Sequence, residues 1–542
     1  MSNLHVFDLL FIAGYFVILA GIGYWAARRE KQVSSDYFLA ARDVGWFAVG
    51  ASLFASNIGS EHLVGLAGSG AATGLAVGHF EWLACIILLL LGWLFVPYYL
   101  KSGVYTMPEF LEKRYNSAAR TYFTWVSVIG YVLTKISVTL YAGGVVIRAV
   151  TGWNFYTAAI VLIVVTGLYT IFGGLRAVVY TEVLQAIVLI LGSATLMIIG
   201  LQHVGGFAAL QAKVPAGFFS MWKPISDPDF PWTGIVFGAP ILGVWYWCTD
   251  QHIVQRVLAA KGISAARTGT IFAGYLKILP VFIFVLPGVV AAALFTDIQG
   301  DSAYPSLVTR LLPVGVKGLV LAGMLAALMS SLASAFNACS TLLTWDVYKK
   351  MRPTSSEAQL VKVGRISAGL MVVLGLAWIP FMKFISSQVY IYLQSVQAYI
   401  APPIAACFLL GIFFKRLNGK GAMASLVTGL VLGVVRLVLE FANGTSKTNL
   451  AAGSFLEWVA EFNFLHFAVL LFVICTAVLF VVSLATPAPG IDKTAGLTYA
   501  KATAGAPSIG MLEDETRKHR TIEIGLSVLL LLIIGVLWIV FA

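Results

Sequence analysis

The chain has 542 residues, 59% of them hydrophobic and only 11% charged, where an ordinary soluble domain carries roughly a quarter charged residues. Its formal net charge is +11, but Lys and Arg fall in short clusters between apolar blocks of about 20 residues, the helix length that crosses ~30 Å of hydrocarbon. These features exclude a soluble enzyme and a nucleic-acid partner, and the lack of period-two alternation excludes an outer-membrane barrel.

An all-α, polytopic membrane protein is therefore expected, because helices satisfy every backbone group without water. Fourteen candidate spans follow in chain order, at about 6–27, 46–70, 77–99, 121–147, 156–174, 179–203, 233–257, 269–296, 315–345, 363–382, 387–414, 421–441, 464–485 and 521–541. The first has no basic segment before it and no small-residue cleavage site after it, so it reads as a retained span rather than a signal peptide. Basic clusters fall on one side. They are Arg28, Arg29, Lys31 and Arg42; Lys101, Lys113, Arg114 and Arg120; Arg256, Lys261 and Arg267; Lys349, Lys350 and Arg352; Lys415, Arg416 and Lys420; and Arg517, Lys518 and Arg520. The opposite loops hold only scattered cations, namely Lys213, Lys223, Arg310, Lys317, Lys383 and Lys447. The positive-inside rule places the clusters in the cytoplasm and both termini outside a plasma or cell inner membrane.

Residues 1–485 thus read as a transport domain with core repeats at about 46–203 and 233–414. A cytoplasmic linker at 486–520 and a C-terminal membrane helix at 521–542 complete the chain. Neither the linker nor the proline-bearing external stretch 204–232 can house an enzyme domain. The five cysteines all lie in apolar blocks and read as small hydrophobes, not disulfides.

Two spans carry polar or small residues at mid-depth. Span 2 holds Gly50 to His62, with Ser52, Ser56, Asn57, Ser60 and Glu61 between them, and span 7 holds Gly243 to Gln251. Either run alone is a helix-packing surface. In matching positions of two sets of five spans (2–6 and 7–11) they point to an inverted repeat, each set opening with an interrupted helix that frees backbone groups for ions and substrate.

The residues then become recognisable. Ala55-Ser56-Asn57-Ile58-Gly59-Ser60, Phe80-Glu81-Trp82, Trp245 to Gln251, Met329 to Ser334 and Gln394-Ser395 resemble the sodium/glucose cotransporters of the sodium–solute symporter family, over about Tyr37 to Arg436. The resemblance implies a leucine-transporter-type inverted repeat of two five-helix units. It also implies symport of sodium with a hexose, glucose or galactose, by alternating access, with a monomer in the bilayer as the working unit. By the same resemblance the substrate contacts are Asn57, His62, Glu81, Tyr246, Trp247, Lys277 and Gln394, with Phe80 and Leu66 lining the outer lid and Tyr246 serving as inner gate. Such a set suits a sugar, whose hydroxyls donate and accept and whose ring offers an apolar face. Glu81 and Lys277 are costly inside spans unless they offset each other or face a wet cavity. Gly243 stands where relatives place a hydroxyl or amide.

Sodium prefers oxygen ligands. The resemblance assigns it the carbonyls of Ala55, Ile58 and Ala327 and the hydroxyls of Ser330 and Ser331, whose spacings of three and four keep groups on one helix face. A second sodium site would use Ser56, Glu182 and Ser334, weakened by Ala333 in place of a hydroxyl and by Glu182 in place of Asp, so one sodium per sugar is expected. A cyclitol such as inositol is the alternative substrate. A sodium-gated sensor is disfavoured, because sensor-like relatives carry an acid in place of Gln394. Of the remaining polar groups, Lys135 and Asp250 are expected to pair within the bundle or hydrate openings. Arg436 is expected to snorkel, and Asn443-Gly444-Thr445 is a formal glycosylation acceptor.

Overall fold

The computed structural model describes residues 5–542 except 30–32, 60, 153, 299, 379–388, 445–448 and 499–516. Ser60, Lys31, Lys383, Thr445, Lys447 and the middle of the 486–520 linker therefore lie outside the described residues. Among those described, the chain is helical, and eleven helices are long and apolar enough to cross a membrane. They correspond to eleven of the fourteen expected spans; spans 2, 5 and 7 are the exceptions, for identifiable reasons.

Spans 2 and 7 are each broken. The first half of span 2, Trp46–Asn57, stops at Ile58, whose φ of −75° and ψ of 101° are extended rather than helical. The chain then rewinds as a wide π turn, Glu61–Leu66. Span 7 runs Ala239–Gly243, widens into a π turn over Val244–Thr249, and breaks at Asp250 (φ −73°, ψ 126°) before continuing as Gln251–Leu258. Asp250 caps this last piece, its carboxylate accepting from the His252 N–H at 3.0 Å. Span 5 is short and apolar at Tyr156–Ile171. It runs into span 6 within the helical stretch Phe155–Val204, which kinks at Gly174. The φ of +55° there suits glycine alone, and Tyr37 packs where a Cβ would stand.

The interrupted helices pack closely because small residues line the contacts. A Cβ at Gly50 would lie 2.7 Å from the Gly269 carbonyl oxygen of span 8, and one at Gly269 would lie 2.7 Å from Val49. Further along, a Cβ at Gly288 would sit 1.9 Å from the Ala67 carbonyl oxygen, so span 8 and the second half of span 2 touch backbone to backbone. The last helix is held to span 8 by Glu523, which pairs with Arg267 at 2.9 Å and accepts from Ser264 and Thr268.

Several residues read from sequence as topological charges have structural work instead. Arg114 is buried and donates to the carbonyls of Gly411, Phe414 and Leu417, satisfying a helix end. Arg436 does not snorkel: it is buried, donates to the Phe462 carbonyl at 2.7 Å and lies over the rings of Tyr399 and Phe467. Asn443 is also buried, its amide donating to Glu461 and accepting from the Leu450 N–H, which ill suits a glycosylation acceptor. The five cysteines are buried and free, as expected.

Replacing Gly288 by Leu should force the second half of span 2 away from span 8 and destabilise the fold by about 1–3 kcal/mol or more. A lowered melting temperature of the detergent-purified protein, against a neutral Gly525→Leu control with nothing within 4 Å of its added Cβ, is the expected reading.

Candidate functional site

The two breaks face a cavity of about 60 Å³. Every substrate-binding residue expected from sequence lines it: Asn57, His62, Phe80, Glu81, Tyr246, Trp247, Lys277 and Gln394 are all present. Leu66, expected at the outer lid, is not among the lining residues and is packed in the apolar core, fully buried. The volume is well below the ~300 Å³ of a typical ligand pocket, and the polar groups satisfy one another.

Lys277 pairs with Glu81 and donates to Asn57 Oδ1 at 2.6 Å. Glu81 also meets His62 Nε2 at 3.1 Å. Asn57 in turn donates its amide to the Tyr246 hydroxyl at 3.0 Å. Spans 2, 3, 7 and 8 thereby share one chain of hydrogen bonds. On the opposite wall Gln394 donates to the Tyr390 hydroxyl at 3.0 Å, and the Tyr390 ring meets Phe80 at 5.9 Å. Phe80 also contacts Phe230, 6.1 Å between centroids, closing one end with aromatic rings. The Lys277 ammonium lies 5.5 Å from the Trp247 ring, a cation–π contact. A ligand with several hydroxyls could enter by exchanging each of these contacts for one of its own. Gly243 lines the cavity without a side chain to offer.

Four polar lining residues had no role in the sequence reading of the site: Glu61, Lys135, Tyr390 and Gln397. Lys135 does not pair with Asp250. It meets Glu61 at 2.8 Å, while Asp250 accepts from the Tyr131 hydroxyl. The usable signal for Glu61 was its charge, since an ionisable side chain within a span marks a wet or functional position.

Behind the break in span 2, span 9 (Val316–Leu342) crosses close to it. Ser330 Oγ is 2.9 Å from the Ala55 carbonyl oxygen and 2.9 Å from that of Ala327. Ser331 Oγ is buried with no hydrogen-bond partner among the described residues. It points at the broken segment, 2.3 Å from where a Cβ of Gly59 would stand. The backbone of Ile58 is extended at that point. Oxygen atoms from two helices thus converge where one helix has lost its winding.

The residues of the expected second sodium site also come together, around a different cation. Ser56 donates to Glu182 at 2.9 Å and Ser334 donates to the same carboxylate at 2.5 Å, with Ser52 on its other oxygen. Between them lies the Arg256 guanidinium, 3.0 Å from Glu182 and bonded to Ser334, with both partners of the pair fully buried.

Comparison with known proteins gives a consistent picture. The model of the sodium:solute symporter family matches residues 37–429. The human sodium/myo-inositol cotransporter is 42% identical over 539 residues, 91% of this chain and 75% of that protein. The mouse sodium/glucose cotransporter 4 is 41% identical, over 92% of this chain and 78% of its own. Among solved structures, a Na+-coupled sialic acid symporter in a substrate-bound outward-open state superposes with a TM-score of 0.75 at 20% identity, covering 89% of this chain and 99% of that one.

Lys277→Met should strand Glu81 in the protein interior and destabilise the fold by about 3–5 kcal/mol. Pairing it with Glu81→Gln should recover most of the loss, and a double-mutant cycle of melting temperatures measures the coupling.

Proposed function

The chain belongs to the sodium:solute symporter family, is membrane-embedded and multi-pass, and takes sodium as its co-transported ion; from that membership we propose that it couples inward sodium flux to uptake of a hexose. The observation carrying this reading is the cavity between two broken helices, walled by an amide, a carboxylate, an ammonium, an imidazole and aromatic rings. Those groups match alternating donors and acceptors on a sugar ring with an apolar face. Asn57, His62, Glu81, Lys277 and Gln394 would hold the hydroxyls. Tyr246 and Trp247 would pack against the ring, and Phe80 would lie over the entrance.

Sodium would sit at the carbonyls of Ala55, Ile58 and Ala327 and the hydroxyls of Ser330 and Ser331. Its charge there would satisfy oxygen acceptors at the broken backbone and on span 9 together, and so favours the arrangement in which spans 2 and 9 are closed together. Substrate would then complete the outer closure before both leave past Tyr246. The leucine-transporter-type inverted repeat, fourteen crossings, external termini and a monomeric working unit belong to the same proposal.

The reading of one sodium per substrate is supported by the Arg256 guanidinium seated among Ser56, Glu182 and Ser334: a resident cation already neutralises the carboxylate that a second sodium would need. One charge moving through 100 mV supplies ~2.3 kcal/mol and a tenfold sodium gradient ~1.4 kcal/mol, so accumulation is limited to roughly 10²–10³-fold.

A cyclitol is the second reading, supported by the 42% identity to a sodium/myo-inositol cotransporter. Uptake into proteoliposomes of labelled glucose, galactose and myo-inositol, in sodium against choline, separates the two. The hexose reading predicts that glucose or galactose competes best, and preferential uptake of myo-inositol would replace it. Gln394→Ala should raise the half-saturating substrate concentration about tenfold, the weight of one to two hydrogen bonds. Ser331→Ala should raise the half-saturating sodium concentration instead. A ratio of charge to substrate near two would refute the single-sodium assignment.

A further inference from the structure

Glu61 and Lys135 are buried charges that line the cavity and have no part in the reading above. Glu61 opens the turn that follows the break in span 2, and Lys135 sits in a π turn of span 4, Val132–Ile136. Lys135 Nζ is 2.8 Å from Glu61 Oε1 and donates to the Tyr246 hydroxyl at 3.1 Å, with the ammonium 4.7 Å from the centre of that ring. The second carboxylate oxygen turns the other way. The position a Gly59 Cβ would occupy lies 2.5 Å from Glu61 Oε2 and 2.3 Å from Ser331 Oγ, so the two oxygens stand no farther apart than those distances together. Ser331 Oγ is the buried hydroxyl with no partner among the described residues. One carboxylate therefore has an ammonium of the substrate cavity on one side and the proposed cation site on the other.

We propose that Glu61 is the positioning residue through which sodium and substrate sense each other. The proposal rests on sodium sitting at Ser331 and its neighbours. A cation there competes with Lys135 for the same carboxylate, since both attractions act at short range in a poorly screened interior. As Glu61 turns toward the ion, the Lys135 ammonium loosens and can donate to a substrate hydroxyl beside Tyr246. Linkage makes the effect mutual: a hydroxylated substrate that accepts from Lys135 leaves more of the carboxylate to sodium, so each ligand tightens the other. A pair serving only to neutralise two buried charges would behave differently, because removal of either member would then be equally harmful and removal of both nearly harmless.

The test uses the full chain in detergent, with sodium replacing choline at constant ionic strength, and reads the sodium concentration that gives half of the thermal stabilisation. Glu61→Gln should raise that concentration at least tenfold, whereas Lys135→Met should lower it at least threefold because the competing cation is gone. The double variant Glu61→Gln/Lys135→Met holds no lone buried charge, so it keeps the test informative if a single variant does not fold. It should show the weak sodium response of Glu61→Gln. A native response in the double variant, or weakening by Lys135→Met, overturns the proposal. Ser331→Ala separates the two levels: if it leaves the sodium response unchanged, the cation site is misplaced, whatever Glu61 does.

Discussion

A helix that stops winding inside hydrocarbon leaves N–H and C=O groups that no water can satisfy, and each such group costs several kcal/mol. The rest of this structure depends on how that constraint is met at two places. At the break after Asn57, the Ala55 carbonyl accepts from Ser330 of another span. At the break in span 7, Asp250 caps the helix that restarts, and the Tyr131 hydroxyl joins it at the His252 N–H. Neither break is self-sufficient. Each is held by side chains from spans distant in sequence, and this turns a local irregularity into a contact between helices that can make and lose partners together.

Buried charge is handled in the same manner. Three of the buried Glu carboxylates lie around the cavity and the helix breaks, and each has a basic partner: Glu61 with Lys135, Glu81 with Lys277 and Glu182 with Arg256. Two of the pairs join the first five-span set to the second. Buried ion pairs contribute little to net stability when compared with apolar packing, so their placement around a polar cavity and beside both helix breaks argues for a role in recognition and switching. The cavity is small because these partners occupy one another. A ligand must therefore replace protein contacts, which makes affinity sensitive to whatever loosens them.

Close backbone packing sets the scale of movement available. Gly50 against Gly269 and Gly288 against Ala67 bring span 8 close to both halves of span 2, backbone against backbone at Gly288 and with Phe272 and Val49 filling in beside Gly50 and Gly269. Dispersion contacts of this kind fall off within an ångström. Spans 2 and 8 are thus tightly packed against each other, whereas Asn57, Tyr246 and Lys277 are joined by hydrogen bonds that the hydroxyls of a ligand can replace.

Much of this protein could be read before folding was considered. Apolar blocks of spanning length without period-two alternation made it helical and membrane-embedded, since only helices and closed barrels satisfy a backbone in lipid. The polar runs at 50–62 and 243–251 marked the breaks, because such residues are expensive at mid-depth unless the backbone needs them. Two of the three spans missing from the expected fourteen have this cause, since spans 2 and 7 are too interrupted to count as continuous helices, while span 5 is merely short. What only the tertiary structure decided was partnership. Sequence shows that Lys135, Asp250, Arg256 and Arg436 are charged, but not that Lys135 faces Glu61 rather than Asp250, that Arg256 sits in the Glu182 cluster, or that Arg436 stacks on rings instead of reaching water. A buried charge takes the nearest opposite charge or carbonyl, and which one is nearest depends on how helices far apart in the chain come to lie side by side.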